Sequence, residues 1–499
     1  MSKPETATEP AATTLRSVDW RFLLRGPEVP RAVDLRRGPA SDSLELACET
    51  VPAAPGAAGL VVLGYPTRPT LRRAREVLRP DGEVVCLWQV PMPAGPQRAR
   101  RLLEKAGLTD VRLLWPGPLP QRAADFWLPL DSPAAVDYVL RLRPPRSRAG
   151  AALRPVWRAA ARGGLLAPLC AVARAPGADG AGDRIDAQLP TPTSWALLTA
   201  EYNAINVVGL PFPAGESEPA MVVKFARTAV GDAQLEREAE MLRRLERERP
   251  ALTGAPRLVA LGRRAGRRAL AVSAVHGRPM TFELTPESFG ELALRVTGWL
   301  VELAGREPVR PQAEWWPRLV GGYLERFERA FGEALEPGAG ERVRELLEGL
   351  GDLPLAFEHR EFAPGHVWIG EGGEIGAIDW EGAEPRGLPL CDLVTFLARA
   401  AFKLERSHLP REAQATYSRL LDPSTSFGRV AAGCTAEYSR LVGIPREAVP
   451  RLRLLCWVVQ AVDLDAWLSV VGPVDGPTLL RAISLRLVDE ELRRAEALR

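Results

Sequence analysis

The chain of 499 residues is long enough for roughly two to four domains of ~100–200 residues, and its 46% hydrophobic and 25% charged content excludes wholesale disorder. Lys+Arg 65 against Asp+Glu 62 gives a net charge of +3, which leaves no strong field to gather nucleic acid or an anionic membrane. The six cysteines are scattered without a CxxC pair or a nearby histidine, which argues against structural zinc and for a reduced, cytoplasmic setting.

Residues 1–18 read as a polar, disordered Thr/Ala/Pro-rich tail with acids and no apolar core, so no signal peptide is expected. Residues 19–175 alternate strands and helices. Gly59–Gly64 is a short apolar run bounded by glycines, Thr70–Leu78 an amphipathic helix, and Arg79-Pro-Asp-Gly82 a turn. Glu83–Val90 is a buried strand, Gln97–Ala106 a helix and Val111–Trp115 another strand. This alternation predicts a parallel α/β layer. A Gly/Ala/Asp-rich linker at 176–188 closes it.

Beyond the linker, Ala204–Leu210 and Ala220–Ala226 read as paired strands, Asp232–Glu248 as a charged helix, and Arg257–Leu261 and Ala269–Val275 as two further strands. Residues 189–275 therefore form a small strand-rich lobe. Residues 276–499 are mostly helical, apart from a hairpin in which Val367–Ile369 and Ile375–Ile378 flank the turn Gly370-Glu-Gly-Gly-Glu374. No stretch reaches the ~18–20 apolar residues of a spanning helix, and Leu452–Val471 reads as a buried helix whose Asp463 and Asp465 call for partners, either arginines of the chain or a cationic substrate. Trp315 and Trp316 read as core, and Arg98, Arg100 and Arg101 as a solvated helix face.

Only four lysines stand among the 65 basic residues, which singles out Lys224 in the apolar strand Met221–Arg227. The next helix offers Glu238 as its partner. Then come His359-Arg-Glu-Phe-Ala-Pro-Gly-His366, the hairpin, Gly376-Ala-Ile-Asp379 and Gly387-Leu-Pro-Leu-Cys-Asp392-Leu. In this order the segments resemble the aminoglycoside phosphotransferase/choline kinase superfamily, over roughly Leu189 to the C-terminus. The resemblance implies an α+β bilobal, protein-kinase-like fold and transfer of phosphate from ATP with Mg²⁺ to a hydroxyl of a small metabolite. Lys224 would pair the α/β-phosphates with Glu238 holding it, Ser273 to Val275 would receive the adenine, and Asp379 would hold Mg²⁺. Asp392 would support the catalytic loop, as would His359.

The family pattern His-Gly-Asp-x-x-x-x-Asn is altered. Glu361 stands at the aspartate that accepts the hydroxyl proton, its oxygens displaced by one methylene, and ~1 Å of misplacement costs ~100-fold in such a site. His366 stands at the metal-binding asparagine, and its imidazole suits a softer metal than Mg²⁺. Leu198–Asn206, aligned with the phosphate-covering hairpin, has no glycine. Two readings stand open. In one, Glu361 is a long-reach base in an active phosphotransferase. In the other, the chain is a pseudokinase and pseudo-methyltransferase serving as a nucleotide- or partner-binding scaffold, with a protein partner.

The segment from Gly59 to Val111 resembles the C-terminal half of a class I S-adenosylmethionine-dependent methyltransferase. The implied fold is Rossmann-like. The nearest candidate for the cofactor strand, Ala32-Val-Asp34-Leu, is followed by Arg36 and Arg37 where glycines would let the ligand approach, so a trimmed fold that does not bind S-adenosylmethionine is expected, with an unusual ligand-binding Rossmann-like domain as the alternative.

Overall fold

The computed structural model describes residues 15–26, 28–36, 44–88, 95–117, 124–142, 169–176, 185–190, 193–199, 205–333 and 336–497, with isolated positions 155 and 159. The chain divides into two compact units, Met1–Ala239 with Leu258–Ala274, and Glu240–Arg257 with Val275–Arg499.

The first unit is built on one twelve-stranded sheet. Its strands are β1 (Arg31–Asp34), β2 (Glu49–Thr50), β3 (Ala58–Leu63), β4 (Leu78–Trp88), β5 (Thr109–Gly117) and β6 (Phe126–Pro129), then β7 (Leu169–Arg174), β8 (Thr193–Leu198), β9 (Asn206–Pro213), β10 (Met221–Ala226), β11 (Leu258–Arg264) and β12 (Arg267–Ser273). They lie in the order β11-β12-β10-β9-β8-β6-β5-β7-β4-β3-β1-β2. The expected parallel layer is only partly realised. β2, β1, β3 and β4 run parallel, but β7 enters antiparallel between β4 and β5. An antiparallel strand needs no helical crossover, and strand-helix alternation in the sequence cannot announce it.

Local chemistry explains the elements. α1 (Arg68–Val77) starts where the Thr67 hydroxyl accepts the Thr70 N–H, and it buries Leu71, Ala74 and Val77 along one stripe. The Arg79–Gly82 turn is a bulge inside β4: Ala58 opposes Leu78, yet Leu60 opposes Glu83. α1, α2 (Gly95–Lys105) and α3 (Pro133–Leu142) cover one face of the sheet. The other face is covered by a 3₁₀ segment, Arg16–Leu23, and by Leu44–Cys48. Arg16 and Val18, read from sequence as the end of a polar tail, are buried there because Val18, Trp20 and Phe22 have an apolar sheet face to cover. No break in the sheet falls at the linker: β8 pairs with β6, so the strand-rich lobe prolongs the same sheet. The linker residues 177–184 lie outside the described residues.

Beyond β8 the order β8-β9-β10-β12-β11 is antiparallel throughout. Between β10 and β11, α4 (Ala229–Glu248) begins three residues before its expected start, with the Thr228 hydroxyl accepting the Gly231 N–H.

The second unit is mainly helical. Its helices include α5 (Phe289–Ala304), α6 (Gly322–Phe331), α7 (Cys391–Glu405), α8 (Ala448–Val471) and α9 (Asp475–Ala497), and several short strands lie between them in sequence. β13 (Ala356–Glu358) pairs antiparallel with β16 (Glu384–Gly387), and β14 (Val367–Ile369) pairs with β15 (Ile375–Ala377) as the expected hairpin. Gly387 is required because a Cβ there would collide with the Glu358 carboxylate. By length and composition α8 is apolar enough to cross a membrane, although half of its most apolar window is buried within the protein. Its Asp465 pairs with Arg481, and Asp463 accepts from the Tyr323 hydroxyl at 3.4 Å. Trp315 is core, its indole N–H bonded to the Arg310 carbonyl at 3.3 Å.

Candidate functional site

In the first unit, Lys224 points from β10 to the face opposite Val223 and Phe225, the period-two alternation of a strand whose other face is core. Its ammonium donates to both Glu238 oxygens, at 2.8 and 2.7 Å. The lysine is 7% and the glutamate 1% exposed, so this is a buried, bidentate ion pair. Ser273 closes β12, opposite Met221. Residues 200–204, the body of the loop aligned with the phosphate-covering hairpin, lie outside the described residues.

In the second unit, the segment after β13 is fixed by backbone bonds. The Asp392 carboxylate accepts the N–H groups of His359 and Arg360, both at 2.7 Å. Burial pushes the Asp392 carboxyl up to about 6, against the pull of those two N–H donors and of Arg360. His359 is fully buried: its Nε2 bonds the Ile378 carbonyl at 2.9 Å, its Nδ1 accepts the Glu361 N–H, and its ring packs on Trp380. Every polar atom of that imidazole is used for support.

Arg360 adopts φ +69 and Asp379 φ +67, left-handed conformations that cost a non-glycine residue roughly 1 kcal/mol. Such strain persists only where surrounding bonds over-determine it, and it concentrates at functional sites. The Arg360 guanidinium turns inward to the Tyr323 hydroxyl at 2.7 Å and lies 3.6 Å from Glu358. Burial raises the Glu358 carboxyl to about 8, the guanidinium pulling the other way. The Glu361 side chain lies beside Gly382, its Oε1 3.5 Å from where a Cβ would stand.

His366 Nδ1 meets the Glu361 carbonyl at 2.7 Å, and since a carbonyl only accepts, Nδ1 carries the hydrogen. Nε2 thereby faces Asp379, 3.7 Å from Oδ2. Burial alone would lower this imidazole, but the Asp379 and Glu361 carboxylates outweigh it and hold it above its ordinary range. Ring orientation by a backbone carbonyl is the outer-shell arrangement seen at metal-ligating histidines.

The sequence-predicted residues thus fall into groups. Lys224 and Glu238 meet in the first unit. Glu361, His366 and Asp379 gather around one loop and hairpin in the second, where the Val275 side chain packs at Gly376. Arg360 was not singled out from sequence, although an arginine at the family's glycine position was the available signal. Asp34 is taken by Arg36, whose backbone N–H and guanidinium it accepts at 2.9 and 2.7 Å.

Residues 214–427 match the model of the phosphotransferase enzyme family, APH. The chain carries a phosphotransferase-family domain. Its fold in that region is protein-kinase-like. Among solved structures, the chain is similar to the type VIII aminoglycoside-3'-phosphotransferase (19% identity, 61% of this chain, 95% of that one, TM-score 0.33). It is similar to APH(2")-IIia in complex with GDP and kanamycin (17%, 62% and 97%, TM-score 0.37). A choline/ethanolamine kinase family protein from Mesorhizobium loti also matches (15%, 59% and 90%, TM-score 0.35). None of the curated proteins matches the chain.

Proposed function

We propose that the phosphotransferase-family domain transfers phosphate from ATP to a hydroxyl of a small molecule, with Glu361 taking the hydroxyl proton. The observation that carries this reading is the loop after β13: Asp392 fixes the backbone of His359 and Arg360 just before Glu361, and the Glu361 carbonyl turns His366 toward Asp379. A loosely held loop would not hold a base within the ~1 Å that such chemistry tolerates. Lys224 would donate to phosphate oxygens, kept extended by Glu238.

The donor set also fits a divalent ion. Asp379 offers a hard carboxylate oxygen and His366 an imidazole nitrogen whose partner nitrogen is committed. When bound, Mg²⁺ would neutralise phosphate oxygens. Glu361 would receive the proton as the acceptor oxygen bonds to phosphorus, while ADP leaves with the electrons of the broken phosphoanhydride bond.

The same contact favours a second reading. A protonated His366 would ion-pair with Asp379 and occupy the metal ligand, leaving a pseudokinase that recruits a partner. The first layer fits this reading as a trimmed, methyltransferase-like platform without cofactor. Its Asp34 is already occupied by Arg36.

Thermal unfolding with and without ATP·Mg²⁺, read together with ADP release in an acceptor screen, separates the two. A ligand at ~100 times its dissociation constant stabilises by ~2.7 kcal/mol, and such a shift is expected here. S-adenosylmethionine alongside is expected to give none. Glu361→Gln is expected to abolish ADP release in an acceptor screen while leaving the ATP shift in place. Unchanged turnover in that variant would overturn the base assignment, and no shift with ATP would favour the scaffold.

A further inference from the structure

One face of α8 grips the segment that carries Glu361. Gln460 and Asp463 stand three residues apart on this helix and so share a side of it. The Gln460 side-chain amide donates to the Arg360 carbonyl at 3.1 Å. Asp463 accepts from the Tyr323 hydroxyl at 3.4 Å, and that hydroxyl in turn accepts from the Arg360 guanidinium at 2.7 Å. One helix therefore reaches Arg360 twice, at its carbonyl directly and at its side chain through Tyr323 of α6. A turn earlier on the same face, the Cys456 thiol donates to the Cys391 carbonyl at 3.6 Å, next to the Asp392 that accepts the Arg360 N–H.

Glu361 itself makes backbone bonds inside its own loop. Its N–H donates to His359 Nδ1 at 3.3 Å, and its carbonyl accepts the Ala363 N–H at 2.9 Å and His366 Nδ1 at 2.7 Å. Bonds of this kind keep the shape of a loop but leave it free to turn as a body. Its direction relative to the helices is set at Arg360, whose N–H goes to α7 and whose carbonyl and guanidinium go to α8 and α6. The left-handed φ of +69 at Arg360 makes that anchoring necessary. Relaxing it would rotate the Arg360 carbonyl off Gln460 and swing the next side chain, Glu361, with it.

We propose that Gln460, Tyr323 and Asp463 are positioning residues for the proton-accepting carboxylate of Glu361: α8 and α6 hold Arg360 in its strained conformation and so set where Glu361 points. This rests on the phosphotransferase reading given above. It also gives a task to the arginine that stands where the family pattern has glycine.

The test uses the full chain and ADP release from ATP·Mg²⁺ with water as the acceptor. Gln460→Met keeps the length of the side chain and removes the amide that donates. It is expected to lower kcat about tenfold, a displacement well short of the ~1 Å that costs ~100-fold, with KM for ATP unchanged within about twofold. Tyr323→Phe removes a single hydroxyl, should give the same split, and repeats the test should Gln460→Met not fold. Asp463→Leu should lose turnover likewise, whereas Asp463→Asn, whose amide oxygen still accepts from the tyrosine, should recover most of it. Amide exchange of peptides spanning 359–366 is expected to quicken about tenfold in Gln460→Met, with α5 unchanged. An unchanged kcat in the folded variants, a KM that rises as kcat falls, an Asp463→Asn as impaired as Asp463→Leu, or unchanged exchange at 359–366 would each overturn the positioning role. A native chain that releases no ADP fails the phosphotransferase reading, and the positioning role falls with it. Native turnover beside an unaltered Gln460→Met refutes the positioning role alone.

Discussion

Replacing Lys224 by methionine separates what this lysine does for the fold from what it does for a ligand. Methionine keeps most of the side-chain volume between Val208 and Leu270, the residues opposite Lys224 on β9 and β12. It removes the ammonium that meets Glu238 at 2.7 and 2.8 Å. Glu238 is 1% exposed, so its carboxylate loses that compensation while remaining out of water. Breaking one side of such a pair costs ~3–5 kcal/mol. Glu238→Gln should cost less, ~1.5–3 kcal/mol, because an acceptor oxygen remains for the ammonium. Lys224→Met with Glu238→Leu removes both charges and should cost far less than the sum of the single changes, since apolar replacement of a buried pair is often neutral. The chain holds two compact units, so a single melting curve would mix their transitions. Amide exchange of β10 and the start of α4 reads the local free energy directly. The double variant should restore protection without restoring ATP affinity. A loss below ~1 kcal/mol in Lys224→Met would refute the buried pair as the origin of the effect. ATP affinity recovered in the double variant would show that Lys224 acts only through the fold.

Two further outcomes follow from the second unit. The folded-state value of Glu358, about 8, lies above its unfolded value near 4.5, so the folded chain binds the extra proton and stability falls as pH rises through that window. Glu358→Gln should flatten the decline between pH 6 and 8 by an amount on the order of a few kcal/mol, leaving a residual slope below pH 6 from Asp392, whose value is about 6. Denaturant midpoints at pH 5, 7 and 9 check this, and identical pH curves for the two proteins would count against it. At the hairpin, the imidazole of His366 should make Co²⁺ bind more tightly than Mg²⁺, and His366→Asn should erase most of that preference. Titration of the visible absorption of Co²⁺ reads this, and an unchanged preference in the variant would remove His366 from the ligands.

What the sequence shows about this chain depends on how far apart the interacting residues lie. Lys224 and Glu238 are legible because a strand and the following helix place them 14 positions apart, and the scarcity of lysine marks the first of them. The hairpin of β14 and β15 is legible because its glycine-rich turn is local chemistry. His359 and Asp392 are legible through a family pattern, and the 2.7 Å bonds of Asp392 give that pattern its physical content. Asp19 and Arg227, a buried ion pair at 2.6 Å, stand 208 positions apart, and no periodicity relates them. Arg16 falls within the stretch read as a polar tail and Asp19 just after it, and Arg227 follows a strand in a chain where nearly every cation is arginine, so none of the three stands out by type. β6 is only four residues long, and its pairing with β8 is what turns two apparent domains into one sheet.

The joining of that sheet has a physical consequence for the loop. β8 would be an edge strand if the strand-rich lobe stood alone, with one row of its N–H and carbonyl groups facing water. Here β6 and the Asp125 carbonyl take that edge up to Thr199, the last described residue before the loop. Fraying of β8 must therefore break bonds on both of its sides. The exit of β8 is thus held on three sides, by β6, by Arg16 and by Arg227. Cutting the chain at the linker would remove β6, Arg16 and Asp19 together, leaving Arg227 buried without its counter-ion and β8 with an open edge. For this reason the strand-rich lobe is better regarded as the far end of the N-terminal sheet than as a separable part of the kinase-like domain.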